Sequence, residues 1–229
     1  RHLATGSDDS TAIIWNVQTG RSLFTLKGHT SSILSTCFSH DGAQLATASW
    51  DQTTVIWDAR VGRKLRTLRG HTSHVFSVKY SPDDKQIATG SYDKTVILWD
   101  ARTGNRVRTL TGHTDNVDAL SYSPDGKRLA TGSIDGSVRI WNPATGEEIV
   151  RLYSLDKGKE WVATTHEGYI NGSAGGLRNA TWTENDKQYS FEQLKSKYHR
   201  PELIAKALGG KGKPARIRPR LGKQYALLI

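Results

Sequence analysis

Short runs rich in Val, Ile, Leu and Thr alternate along the chain with clusters of turn residues. Between residues 75 and 110 such runs are separated by SPDDK, YDKT and DARTG, which contain the Asp, Pro and Gly that turns require. This alternation predicts four strands, roughly at Val75–Tyr80, Gln86–Ser91, Thr95–Trp99 and Arg106–Leu110. Four strands of ~5–6 residues with loops of ~3–5 residues fill a complete structural unit.

The unit is 42 residues long and repeats without insertion or deletion. A Trp followed by Asp or Asn recurs at this interval, at Trp15, Trp57, Trp99 and Trp141. Gly-His-Thr recurs in the same phase at 28–30, 70–72 and 112–114, and an acid recurs at Asp9, Asp51, Asp93 and Asp135. Several residue types in one phase indicate a repeat architecture.

Four motifs, namely Gly-His at one end of a unit, SPDG or a close variant in the first turn, ATGSxD in the middle and WD or WN at the end, resemble the WD-repeat (WD40) family over residues 1–153. The resemblance implies an all-β fold of WD40 β-propeller blades. It would be a partial or truncated propeller with three complete four-stranded blades plus partial units. The chain has no Met, and residue 1 falls at the start of a second strand. We therefore expect the C-terminal part of a longer protein or a truncated gene product.

Each full unit contains His, Ser, Asp and Trp at fixed positions. The sets are His29/Ser49/Asp51/Trp57, His71/Ser91/Asp93/Trp99 and His113/Ser133/Asp135/Trp141. A catalytic Ser-His-Asp triad would need only one such set. The resemblance instead implies structural tetrads, in which an imidazole, a hydroxyl, a turn carboxylate and an indole N–H satisfy one another inside a blade. We favour the structural interpretation over catalysis.

Other signals of catalysis or metal binding are absent from the sequence. There is no GxxxxGK[ST] phosphate loop and no HExxH zinc helix, and the lone Cys37 cannot build a thiolate metal site. The segment from Asn171 to Gly175 approaches the GxSxG nucleophile motif, but Asn171 occupies the first glycine position. We expect no enzymatic activity, no metal and no cofactor.

The repeat pattern decays after Tyr153, since Leu155 stands where a fourth His would fall. We expect residues 154–189 to form a degenerate final unit without the tetrad, because terminal repeats face something other than another blade. Residues 161–208 also resemble a region that follows WD repeats in some large bacterial proteins, where a caspase-like peptidase domain can share the polypeptide. No part of such a catalytic domain is recognisable in this sequence.

Residues 190–210 show a change of period and predict a short α-helical extension. Ser190, followed three residues later by Gln193, resembles a capping box, and Pro201 suits the first turn of a second helix. We expect residues 211–229 to be a basic tail that is flexible.

The formal net charge of +10 is concentrated near the C terminus, where residues 192–229 contain ten Lys and Arg against two Glu. Such a tail suits nonspecific phosphate contacts with nucleic acid. We favour the interpretation that it is a solvated linker, because no aromatic residues are interleaved among the basic ones to stack on bases. No run of about 20 apolar residues exists, so we predict no membrane span and a cytoplasmic protein.

Function is therefore expected on a surface of the repeats. In the family, the residue before the turn Asp emerges on the top face near the central channel; here these residues are Asp8, Trp50, Tyr92 and Ile134. First-strand residues placed nearby by family analogy are Leu34, His74, Phe76, Asn116 and Asp118. Aromatic anchors dominate interface energetics, so Trp50 and Tyr92 suit an interaction patch. The alternative is that both rings only shield the edges of blades.

The sequence predicts a noncatalytic scaffold that binds a protein or peptide partner through this top face. Nucleic acid is expected only at the basic tail, and the oligomeric state is not determined. The alternative hypothesis is the regulatory or sensor portion of a multidomain enzyme, such as a bacterial caspase-like protease.

Overall fold

A computed structural model describes residues 2–178, 180–184 and 187–209. The described residues fall into two compact units, one of residues 2–135 with 143–146 and one of residues 136–142 with 147–209. The division lies inside the third full repeat, whereas the sequence placed the end of the repeats at residue 153. The predicted basic tail, 211–229, lies outside the described residues.

The first unit is built from antiparallel sheets whose strands follow one another in chain order. The first sheet has three strands, β1 (His2–Gly6), β2 (Thr11–Asn16) and β3 (Ser22–Lys27). The next has four, β4 (Ile33–Phe38), β5 (Gln44–Ser49), β6 (Thr53–Asp58) and β7 (Arg63–Arg69). Another four-stranded sheet contains β8 (Val75–Tyr80), β9 (Gln86–Ser91), β10 (Val96–Asp100) and β11 (Arg106–Leu110). These last four agree with the predicted strands to within one residue.

The third full repeat contributes β12 (Val117–Tyr122) and β13 (Leu129–Ser133) to the first unit, and these two strands pair. The first strands of successive repeats lie side by side, with β4 against β8 and β8 against β12. The predicted all-β class of WD-type blades is confirmed.

The second strands β5 and β9 are buried, and the first strand of the next repeat packs against each of them. A Cβ atom added to Gly90 of β9 would lie 2.9 Å from the carbonyl oxygen of Val117, and Gly6 approaches Ile33 equally closely. Ala48, at the corresponding position of β5, is fully buried. The small residue in the ATGS segment therefore allows neighbouring sheets to approach each other.

The second unit contains β14 (Ser137–Trp141), β15 (Glu148–Leu155), β16 (Glu160–Thr164) and β17 (Ile170–Gly172). These strands pair in chain order, with Leu155 of β15 opposite Glu160 of β16. β16 thus extends the sheet of β15, within the residues 154–189 that the sequence predicts to be a degenerate final unit. The reason is local: a 3-10 turn over Asp156–Gly158, with Lys157 at φ +55°, reverses the chain immediately.

Short helices complete the second unit, which confirms the predicted helical extension. They are α1 (Ala174–Arg178), α2 (Phe191–Tyr198) and α3 (Pro201–Ala207); a hairpin of β18 (Thr181–Glu184) and β19 (Lys187–Ser190) lies between the first two. Ser190 N donates to Gln193 Oε1 over 2.8 Å, as a capping box requires. Buried Ile204 anchors α3 against Val150 and Ala163. Among the described residues, no helix is long and apolar enough to cross a membrane.

Candidate functional site

The first strands β4, β8 and β12 each contain a β-bulge at the same place. Between Ile33 and Ser35, between Val75 and Ser77, and between Val117 and Ala119, one residue has no partner on the second strand. The extra residues are Leu34, Phe76 and Asp118. A bulge changes the direction of a side chain and interrupts the regular sheet. The residue type differs at this position in each repeat, although the backbone feature is the same.

A conserved backbone geometry joins each first strand to the following turn of the same repeat. Trp50 N donates to Ser32 O over 3.0 Å, Tyr92 N to His74 O over 2.9 Å, and Ile134 N to Asn116 O over 3.0 Å. Each donor is the residue before the turn Asp, and each acceptor lies two residues before the bulge. The structure thus joins the predicted residues Tyr92 and His74, and Ile134 and Asn116; Trp50 makes the equivalent bond to Ser32, which the sequence did not single out.

Four of the predicted residues form a continuous aromatic ladder, defined as Trp50, His74, Tyr92 and Phe76. The ring centroids of Trp50 and His74 are 5.0 Å apart with an interplanar angle of 21°. His74 lies 5.6 Å from Tyr92, and Tyr92 stacks on Phe76 at 4.3 Å and 15°. The aromatic ladder joins two adjacent repeats, and Trp50 at its end remains 43% exposed.

One hydrogen bond orients the imidazole at the middle of the aromatic ladder. His74 Nδ1 lies 2.7 Å from the carbonyl oxygen of Trp50. A carbonyl oxygen can only accept, so the partner assigns the proton to Nδ1. In the neutral ring, Nε2 is then a hydrogen-bond acceptor.

The other predicted contact residues flank the aromatic ladder without ring contacts. Leu34 is half-buried and Ile134 is 56% exposed. Asn116 takes part through its backbone carbonyl, and Asp118 is an exposed acid. Partial burial, followed by repulsion from Asp115, raises the pKa of the Asp118 carboxyl.

The histidines predicted to form tetrads are buried and hydrogen-bonded within their own repeats. In the second full repeat, His71 Nδ1 is 2.7 Å from Asp93 Oδ2, and His71 Nε2 is 2.8 Å from Thr89 Oγ1. The indole N–H of Trp99 donates to the same Thr89 oxygen over 2.8 Å. The first full repeat has the same bonds among His29, Asp51, Thr47 and Trp57. In the third, His113 contacts Asp135 at 2.8 Å and Thr131 at 2.7 Å, whereas Trp141 belongs to the second unit.

The structure corrects the predicted bridging serines: Thr47 and Thr89, not Ser49 and Ser91, join the imidazole to the indole, and in the third repeat His113 Nε2 contacts Thr131 in place of Ser133. Because His71 directs Nδ1 to the turn carboxylate, Nε2 points away from the turn and reaches Thr89, two residues deeper in the strand than Ser91. Ser91 serves the turn itself, since its hydroxyl donates to Ser73 O over 3.2 Å and accepts from Asp93 N over 3.0 Å. Ser49 and Ser133 make the same two bonds in their repeats.

Burial and hydrogen bonding set the charge state of the tetrad carboxylates. Burial favours the protonated form of Asp93, but hydrogen bonds led by those from His71 and Thr95 outweigh burial and hold its pKa far below the usual range. The hydroxyls of Thr89 and Ser91 belong to residues that are fully buried. A substrate therefore has no access to a hydroxyl nucleophile in this set of residues.

The near-match to a nucleophile motif has a clear structural explanation in the second unit. Ser173 does lie between a strand and a helix, but its hydroxyl donates to the carboxylate of Glu160. The N–H groups of Gly175 and Gly176 donate to the same carboxylate, each over 3.1 Å. These bonds, with the one from Ser173 the strongest, lower the pKa of Glu160. The donors that an oxyanion hole would need are thus bound to the chain's own carboxylate.

Sequence reasoning missed Asp84, which links two repeats at their SPDD and SHDG turns. Its register mates are Gly42 and Gly126, both at positive φ, and Asp84 itself has φ +56°. The sequence does contain a signal for this role, because Asp84 occupies a position that is glycine in the other two repeats. The described residues contain no group of three or more His, Cys, Asp and Glu side chains that could hold a metal ion.

Comparison with known proteins agrees with this geometry. Residues 20–58, 62–100 and 104–142, about half of the chain, match the family described as WD domain, G-beta repeat. A segment of 43 residues is 54% identical to Ribosome assembly protein 4 of Chaetomium thermophilum; it covers 19% of this chain and 8% of that protein. With three in-phase matches on the strands described above, the chain belongs to the WD-repeat family.

Proposed function

We propose that the protein is a noncatalytic scaffold that binds a protein or peptide partner, with the aromatic ladder as its contact surface. WD repeats imply an interaction scaffold. The observation that supports the finer proposal is the continuous series of ring contacts from Trp50 to Phe76, which crosses two repeats and ends at the partly exposed Trp50.

The energetics of recognition favour this surface. Large aromatic side chains contribute most to interface affinity, and they lose little conformational entropy when they are already stacked. The backbone bonds from Trp50 N and Tyr92 N hold the ladder in place before a partner arrives. The flanking Leu34, Ile134, Asn116 and Asp118 would supply the rim that distinguishes one partner from another.

The scaffold function is compatible with both hypotheses that the sequence raised. A separate scaffold and the regulatory portion of a multidomain enzyme would use the same surface. The sequence of the full-length polypeptide would distinguish them, since it would show whether a catalytic domain is attached. The match to a ribosome assembly protein spans too little of that protein to transfer its partners. Nucleic-acid contact through residues 211–229 and a cytoplasmic location stay predictions.

A peptide-display selection against the 229-residue chain tests the proposal. We expect enriched peptides whose affinity falls about tenfold or more in Trp50→Ala and in Tyr92→Ala, as loss of an aromatic anchor predicts. The matched control is Val61→Ala, because Val61 is 59% exposed but lies at the opposite end of β6. Peptides that bind Trp50→Ala and Tyr92→Ala as well as the wild type would overturn the proposal, provided that both variants remain folded.

A further inference from the structure

We propose, building on the function above, that the aromatic ladder recognises the guanidinium group of an arginine in an extended peptide. Two observations point to a planar cation with several N–H donors. The groups that the ladder presents are electron-rich, and within the described residues the acids on both sides of it form no ion pair with a basic side chain.

The ladder itself offers π faces and one acceptor. Trp50, Phe76 and Tyr92 have ring faces that carry partial negative charge, which attract cations and not anions. Because His74 Nδ1 is bonded to the Trp50 carbonyl, the neutral imidazole offers only Nε2, as an acceptor. A ligand group that matches this set must donate hydrogen bonds and carry positive charge.

Acidic residues flank the ladder in the repeats on either side. Asp8 occupies the register position of Trp50 in the preceding repeat, and Asp118 occupies that of Phe76 in the following one. The close approach of Gly90 to Val117 brings the start of β12, and with it Asp118, beside the end of β9, from which Tyr92 follows.

The carboxylates of Asp8, Asp115 and Asp118 are not neutralised by a basic side chain within the described part of the chain. No Lys, Arg or His there forms an ion pair with Asp8, Asp115 or Asp118. The pKa of Asp118 is raised, first by partial burial and then by repulsion from Asp115, whereas a nearby cation would lower it. Lys94 lies in the turn after Tyr92, and within the described residues it forms no ion pair with any of these three acids.

Arginine fits this arrangement better than lysine does. A guanidinium is planar and stacks on an aromatic face, while its five N–H groups remain free to donate at the ring edge. It can therefore lie on the face of Trp50 that His74 leaves uncovered and donate to His74 Nε2 or to the Asp118 carboxylate. An ammonium is a compact, strongly hydrated charge that cannot stack in this way.

The display selection provides the first part of the test. We expect the enriched peptides to share an Arg. Peptides that depend on Trp50 but contain no Arg would overturn this inference and leave the proposed function standing. A selection with no peptide dependent on Trp50 or Tyr92 would remove the proposed function and this inference with it.

The second part replaces the Arg of the tightest peptide by citrulline, which keeps the shape and removes the charge. We expect a loss of about tenfold or more, and a smaller loss for Lys. In Asp118→Asn the wild-type peptide should bind about threefold or more weakly, and the citrulline substitution should cost less than it does with wild-type protein. Equal affinity of the Arg and citrulline peptides, or a citrulline effect unchanged in both Asp118→Asn and Asp8→Asn, would overturn the proposal. Coupling between peptide and protein substitutions is a readout that a general loss of stability would not produce.

Discussion

Asp84 binds His40 of the preceding repeat through both the backbone and the side chain. One carboxylate oxygen accepts from His40 N over 2.8 Å and lies 2.9 Å from His40 Nδ1, and the other accepts from Asp41 N over 3.0 Å. Asp84 makes these bonds from a left-handed backbone conformation, which glycine adopts at the equivalent positions Gly42 and Gly126. At this turn the sequence has aspartate in place of glycine, and its carboxylate joins two repeats.

Replacing Asp84 should show how the hydrogen bonds and the backbone strain offset each other. We expect Asp84→Ala to lower the free energy of unfolding by about 1–3 kcal/mol, because it removes the acceptors and keeps the unfavourable φ. Asp84→Gly should lose about 1 kcal/mol less, since glycine adopts this conformation without strain. Urea unfolding followed by Trp fluorescence measures both. Lys85→Ala, with a side chain that is 81% exposed, is the control. A glycine variant more stable than the wild type would contradict the linking role.

The threonine at the centre of the second tetrad should contribute more to stability than its burial alone suggests. Thr89→Val keeps the shape but leaves the indole N–H of Trp99 and Nε2 of His71 without their shared oxygen. We expect a loss of about 1–3 kcal/mol, and His71→Ala or Asp93→Ala should fall in the same range.

The control for this series is Thr109→Val, because Thr109 is exposed on β11 and should change stability by less than about 0.5 kcal/mol. Unchanged unfolding midpoints in Thr89→Val, His71→Ala and Asp93→Ala would show that the tetrad contributes nothing to stability.

Stability should depend on pH through the carboxylates of Asp51 and Asp93. For Asp51, burial opposes ionisation, but hydrogen bonds led by those from Thr53 and Thr30 still lower its pKa, and Asp93 is shifted further in the same direction. A folded-state pKa below the unfolded value of about 3.9 stabilises the fold above that pH. The contribution is lost as pH falls from about 4 through the folded-state pKa values.

Urea midpoints measured between neutral pH and about pH 2.5 check this prediction. We expect a plateau at the neutral end and a decline in acid, and Asp93→Asn should make the decline shallower while lowering the plateau. An Asp93→Asn profile parallel to that of the wild type would contradict the assignment.

Two tryptophans in one repeat should respond in opposite ways to truncation. Trp57 is 1% exposed and its indole N–H bonds to Thr47 over 2.9 Å, so Trp57→Ala should cost about 3–5 kcal/mol. Trp50 is 43% exposed, so Trp50→Ala should change the melting temperature little and act on binding. Loss of the fold in Trp50→Ala would assign Trp50 to the core and support edge shielding.

The periodic features of this protein could be predicted from its sequence because the same residue types occupy the same structural positions in each repeat. The strands around Trp99, the turns that separate them and the helix start at Ser190 follow from local pattern and capping. The choice between Thr89 and Ser91 could not be made this way, since both are buried hydroxyls on one face of β9 and only the direction of the imidazole distinguishes them.

The sequence by itself determined the repeat, its strand order and the positions that vary on a constant frame. Only the tertiary structure decided that Trp50 of one repeat stacks on His74 of the next, that Asp84 reaches back to His40, and that β16 continues the sheet of β15. Pattern and propensity act within a few residues along the chain. These three contacts depend on where a neighbouring strand or turn places a side chain in space.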